Sequence, residues 1–333
     1  YKIHYIVFFL ALFFSKAIAE PTFVQSKSIE TGTQDLGLTF NNDGTKMYIT
    51  RNPNNKLDAV VEFILTTPYD ISTAAVNNTK IIHVTGVHSD NKNALLPTQV
   101  VFNNDGTKMF IAGHAGNKKI DYWSLTTAFD ISTANLDGRY DISGQEIRAN
   151  SVAFNNDGTR MIVAGVGNDS QVQIHEYSLE TAFDLSSTVT HLNTEDLISF
   201  QNHIDGVTFN YDGTKMYTIT LMNSEVPSLA LDLMYQFKLT TPYDVSTLSL
   251  EGTYTVSSVS GDSREVVFSN DGSKMFIIDD DNDKVHEFNL SCDWSVIDDA
   301  CDDPITTSDE GKDILSSIES QTATAKQIAI QAS

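Results

Sequence analysis

Several polar residues stand just ahead of short apolar runs in this chain: Asp35, Gln99, Asn150, His203, Asp205, Arg264 and Glu265. Carboxylate and amide oxygens are the donors that hard cations take, and the same groups hydrogen-bond small polar ligands. Held together, Asp205, Glu265, Asn150 and Gln99 could fix a cation and activate water on it, although Arg264 beside Glu265 opposes a positive charge. A second candidate is the run Asp279-Asp280-Asp281-Asn282-Asp283, where Asp279, Asp281 and Asp283 alternate like the carboxylates of a calcium loop. Lys284 stands where such a loop needs glycine and Leu290 where it needs a bidentate glutamate, so the run reads as a solvated loop, with calcium the one cofactor worth testing. The 8 histidines are scattered, with no H-E-x-x-H, no G-x-S-x-G and no phosphate-binding glycine loop, so no catalytic residue is assigned.

The elements that must position these residues are written five times. FNNDGTKMY from Phe40 recurs as FNNDGTKMF from Phe102, FNNDGTRMI from Phe154, FNYDGTKMY from Phe209 and FSNDGSKMF from Phe268. The turn aspartates Asp43, Asp105, Asp157, Asp212 and Asp271 are spaced by 62, 52, 55 and 59 residues, a period that fits a unit of several strands. In each unit an apolar strand such as VVF (100–102) enters the turn and a strand such as KMFIA leaves it. Gly44 and its counterparts take positive φ there, while Asn and Asp side chains accept backbone N–H groups. The turn is thus a hairpin connection.

A third strand follows, as in VVEFIL (60–65) or VHEFNL (285–290), with alternation that predicts one buried face. It ends in a second echo, TTPYDIST, TTAFDIST, ETAFDLSS and TTPYDVST, decaying in the fifth unit to SCDWSV. The aromatic of this echo is expected between sheets and its Asp as a turn cap. A fourth strand, for example KIIHVTG (80–86) or GTYTVSS (252–258), completes the unit. Four antiparallel strands per unit, stacked radially, predict an all-β, five-bladed β-propeller over residues 20–303. The apolar strand, N-D-G turn, K-M-Y-I strand and aromatic third strand resemble the bacterial YVTN and TolB-like propeller repeats, and the resemblance implies fold alone. The fifth unit lacks a fourth strand and TFVQSKSIE (22–30) is spare, so the N-terminal strand is expected to close the ring.

In such a ring the NNDG turns and PYDIST loops share one uniform face. The remaining loops, with insertions around His88 to Pro97 and Leu221 to Leu233, make a variable face whose channel mouth carries the seven polar candidates.

Residues 1–19 read as a secretory signal peptide, with a basic start, an apolar run and Ala17-Ile18-Ala19 before the cut. An exported chain is therefore expected, bound for the periplasm, cell surface or exterior. A net charge of −23 disfavours nucleic acid as a partner. In that compartment Cys292 and Cys301 are expected to form one disulfide. Residues 304–333 read as a linker and a short C-terminal helix, with a weak apolar stripe through Ile314, Ile318, Ala325 and Ile328 that would serve as the start of an oligomeric stalk or as a tail. Two function classes follow: a non-enzymatic binding or adhesion module that meets a protein or glycan through its variable face, and a metal-dependent lactonase or related hydrolase with a cation in the channel.

Overall fold

The computed structural model describes residues 20–29, 34–52, 58–84, 96–113, 118–167, 172–201, 203–220, 232–256 and 259–297. The leader, the C-terminal helix, Cys301 and with it the expected disulfide lie outside the described residues, as does most of each insertion. No described helix is long and apolar enough to cross a membrane.

Strand β1 (Thr22–Ser28) precedes the first blade, which is β2 (Gln34–Phe40), β3 (Lys46–Asn52), β4 (Ala59–Ile64) and β5 (Ala75–His83). The second blade is β6 (Pro97–Phe102), β7 (Lys108–Gly113), β8 (Lys119–Leu125) and β9 (Ala134–Asp141). The third is β10 (Glu146–Phe154), β11 (Arg160–Gly167), β12 (Val172–Leu179) and β13 (Val189–Asp196). The fourth is β14 (Gly206–Phe209), β15 (Lys215–Thr220), β16 (Leu233–Leu239) and β17 (Leu248–Thr255), and the fifth holds β18 (Ser263–Phe268), β19 (Lys274–Asp279) and β20 (Lys284–Asn289). Strand β1 pairs antiparallel with β20, Thr22 opposite Asn289 and Ser28 opposite Lys284, so every blade has four strands and the last is completed by the chain's first. The inner strands β2, β6, β10, β14 and β18 neighbour one another in turn, and β18 returns to β2. The molecule is a closed five-bladed β-propeller.

The core is a set of wedges between blades rather than one centre: Leu38 and Ile49 meet Phe276 and Ile278, and Tyr48 and Val60 meet Val100 and Ile111. Sandwiched on both faces, a strand such as β7 is buried almost throughout, and only outer strands such as β13 alternate. This corrects the expectation for the third strand. Its polar alternates are buried, Glu62, Glu176 and Glu287 at 0–1% exposure, and reach across to the next blade, Glu176 to the Val245 amide and Glu287 to the Ile71 amide, each at 3.3 Å. Two of the expected fourth strands also shift: β5 starts at Ala75 and β17 at Leu248, because Asp70 and Asp244 cap a single 3-10 turn that leads straight into the strand.

The repeated turn is built as its residues require. Asp43 Oδ1 accepts from the Thr45 amide at 3.0 Å and Asn41 Oδ1 from the Lys46 amide at 2.9 Å. Gly44 has φ +68°, and a Cβ on it would stand 2.3 Å from the ring of Tyr69. The echo aromatic thus lies on the turn of its own blade, as well as between blades, where Tyr69 meets Phe276 of the fifth.

Candidate functional site

Seven residues before each turn aspartate stand Leu36, Thr98, Asn150, Asp205 and Arg264, one from each blade, and together they line a throat of about 10 Å3. In four blades the strand pairing skips this residue, between Asp35 and Gly37, Pro97 and Gln99, Ala149 and Ser151, and Ser263 and Glu265. Such bulges re-aim a side chain out of the sheet's alternation, here toward the axis. A volume this small holds about one water molecule.

Arg264 dominates the throat. Its guanidinium lies 2.6 Å from Asp262, 3.4 Å from Asp205 and 3.4 Å from Asp280, and His203 Nδ1 lies 3.0 Å from Asp205. Burial pushes the Asp262 carboxyl up to about 7 despite the guanidinium, helped by the neighbouring Asp280 and Asp205.

One residue deeper, Gly37, Gln99, Ser151, Gly206 and Glu265 make a second layer. Gln99 Oε1 accepts from Ser151 Oγ at 2.9 Å and from the Val152 amide, and Ser151 Oγ accepts from the Val207 amide at 2.9 Å. Glu265 fills the space of the missing side chain at Gly206, where a Cβ would stand 2.6 Å from its Oε1. Complete burial raises its pKa well above the carboxylate range, against hydrogen bonds from the Val266 amide and Gln99, so this acid favours its neutral form. Glu265 Oε2 and Asn150 Oδ1 are buried with no partner among the described residues.

The structure therefore gathers Asn150, Asp205 and Arg264 in the throat, sets His203 against Asp205, and places Gln99 and Glu265 in the layer behind. Asp35 lies at the start of β2. The acidic run lies at the turn between β19 and β20 and reaches the throat through Asp280, which faces Arg264. Asp279 is buried, and although burial alone would raise its pKa, hydrogen bonds from His286 (3.1 Å) and Asn282 (2.7 Å) hold it below the ordinary value. Among the described residues no group of three or more His, Cys, Asp or Glu is placed to hold a metal ion.

On the opposite, uniform face of the axis lies a space larger than the throat, a chamber of about 250 Å3 with Gln99 in its lining. Thr39, Val101, Ala153, Thr208 and Val267 form its wall, and Asn42, Asn104, Asn156, Tyr211 and Asn270 its rim. The rim amides form a chain: Asn42 Nδ2 donates to the Asn104 carbonyl at 2.5 Å, Asn104 to Asn156, Asn156 to Tyr211, and Asn270 to Asn42. Sequence reasoning read these asparagines only as turn formers. The signal available was that the second Asn of N-N-D-G recurs in four units although Asn41 and Asp43 already satisfy the turn.

No family model matches the chain and no curated protein does. Among solved structures it is similar to a Bacteroides fragilis protein named for 6-phosphogluconolactonase, with TM-score 0.46 and 13% identity over 76% of this chain and 79% of that one. It is also similar to a periplasmic gluconolactonase of Pseudomonas aeruginosa, with TM-score 0.41 and 15% identity over 76% of this chain and 65% of that one. A third is the Swd1 β-propeller domain of Myceliophteria thermophila, with TM-score 0.41 and 9% identity over 77% of this chain and 84% of that one. At these scores the likeness is one of general architecture.

Proposed function

We propose that this protein is an exported, non-enzymatic propeller that binds a protein or glycan through its variable loop face. The observation that supports this reading is the throat: Arg264 is neutralised by Asp205, Asp262 and Asp280, and about 10 Å3 remains beside it. Charges that neutralise one another around a space for one water brace the ring and leave no room for a reactant. The face around them is free to carry recognition because a ring of paired blades holds its loops at fixed spacing. Replacing residues 88–96 and 222–232 with short turns, singly and together, and assaying the full chain on glycan and protein arrays tests this. The expected result is an unchanged melting transition with lost binding; binding that persists in the double graft overturns the reading.

The hydrolase reading keeps one observation in its favour: around the throat Asn150 Oδ1, Glu265 Oε2 and Asp262 Oδ1 are buried with no hydrogen-bond partner among the described residues. A cation bound there would raise the melting temperature with the logarithm of its free concentration once that exceeds Kd. Elemental analysis of purified protein, with calcium and zinc titrations followed by melting, decides between the two, and a stoichiometric metal lost in Glu265→Gln reverses the order.

A further inference from the structure

We infer that the chamber on the uniform face is a second binding site, for one unit of a small, neutral, polyhydroxylated molecule of monosaccharide type. It is separate from the variable-face site proposed above and stands or falls independently of it.

Charge is the first observation. The chain carries a net charge of −23, yet none of the residues lining this chamber is charged. The turn aspartates beside the rim point back into their own turns, as Asp43 does onto Thr45 at 2.6 Å. An acidic surface around an uncharged chamber repels phosphates and carboxylates while leaving a neutral solute indifferent.

The second observation is the inventory of unused polar atoms. Each rim asparagine spends an N–H on its neighbour's carbonyl, and the Oδ1 atoms of Asn42, Asn104, Asn156 and Asn270 accept no hydrogen bond among the described residues. The hydroxyls of Thr39 and Thr208, half-buried in the wall, make no hydrogen bond among the described residues either. These are neutral acceptors and hydroxyls, the complement of sugar hydroxyl groups. The rim amides cannot swing freely, because each is tied by its nitrogen, so the acceptors are held in place before a ligand arrives.

Third, the wall is divided. Val101 and Ala153, on adjacent blades, line the chamber as an apolar strip, while Thr39 and Thr208 offer hydroxyls from the first and fourth blades on either side of the single apolar Val267 of the fifth. A pyranose has an apolar C–H face and a hydroxyl edge, and this division suits both. A volume of about 250 Å3 falls just under the roughly 300 Å3 at which pockets for drug-sized ligands begin, so one ring fits and a longer chain would project outward past the exposed Tyr211.

The experiment uses the full chain and named probes: glucose, galactose and N-acetylglucosamine as neutral sugars, with glucose 6-phosphate and gluconate as anionic counterparts, followed by saturation-transfer NMR and calorimetry. At least one neutral sugar binds at about millimolar strength and the anions do not. Ala153→Met, which fills the chamber, weakens binding by about tenfold or more. Thr39→Val with Thr208→Val, which keeps shape and removes both hydroxyls, does the same and serves where the methionine variant fails to fold. The loop grafts on the variable face leave this binding unchanged. The proposal is overturned if no neutral sugar binds, if the anions bind as well as the neutral probes, or if binding survives the double valine variant undiminished.

Discussion

Lys46 in the first blade donates its ammonium to the main-chain carbonyl of Phe129 in the second, at 2.9 Å, and Phe129 holds that carbonyl in reach at a φ of 55°. The same strap joins Lys108 to Phe183 at 2.8 Å, Lys215 to Trp294 at 3.3 Å and, closing the ring, Lys274 to Tyr69 at 3.2 Å. Arg160 stands at the third position and turns to Glu176 instead. The lysine after the turn and the aromatic of the loop recur together because each blade supplies one half of a bond to its neighbour. Lys108→Met is expected to lower stability by about 1 kcal/mol, the usual net worth of one hydrogen bond, and a denaturation midpoint equal to wild type would show that the strap contributes nothing.

The rim chain of asparagines has one gap. Tyr211 accepts from Asn156 but has no side-chain amide to pass on to the Asn270 carbonyl, and the residue is 71% exposed. Tyr211→Asn completes the circle and is expected to stabilise the protein by about 0.5–1.5 kcal/mol. A lowered melting temperature would mean that the tyrosine has a role that the ring does not explain.

Gly106 is held twice, by a φ of +70° and by the ring of Phe129, whose nearest atom would lie 2.3 Å from a Cβ. Gly106→Val should cost more than about 1 kcal/mol, since a β-branched residue resists this conformation and the ring must also move. Chemical denaturation of this variant beside Gly144→Val, where a Cβ would meet nothing, separates this cost from a general effect of substitution.

Strand β1 is the ring's clasp. Beyond its ladder to β20, Gln25 donates to both Asp70 of the first blade and Glu287 of the fifth, at 2.9 and 2.8 Å. Removing residues 20–29 should drop the melting temperature and expose the edge of β20 to intermolecular pairing, read as aggregation in size-exclusion chromatography. A monomeric truncation with an unchanged melt would contradict this.

The buried Asp262 makes stability pH-dependent in the direction opposite to ordinary acid denaturation. Its folded pKa of about 7 lies above the ordinary value of 3.8, so between those limits the folded state binds more protons than the unfolded one and stability falls as pH rises. Asp262→Asn should flatten that stretch of the pH–stability curve. The turn aspartates act the other way: hydrogen bonds from Thr45 and Thr107 depress Asp43 and Asp105, and their contribution is lost as pH falls through the acid range. A wild-type curve that rises from pH 4 to 7, with no difference in the Asn variant, would remove Asp262 from the account.

Much of this was legible in the chain. The five turns, the capping Asp70 and the clasp strand all rest on short-range chemistry: a glycine at positive φ, a side chain bonded two residues on, a missing fourth strand beside a spare one. The third strand misled because Glu62, Glu176 and Glu287 look like a solvent face and are buried, their charge met by partners from other parts of the chain. Alternation records polarity but not which polar groups will find a partner.

What the sequence determined by itself is the repeat and therefore the ring, since hairpin turns and strand polarity are set within each unit of 52 to 62 residues and the unit count by their number. Only the tertiary structure decided what the ring encloses. Closure brings Asp205 and Asp280 to Arg264 from different positions in the chain, and bulges in four blades turn one residue each toward the axis. Spacing along a chain carries no record of such meetings, so the plugged throat and the uncharged chamber on the other face appear only when five blades share one axis.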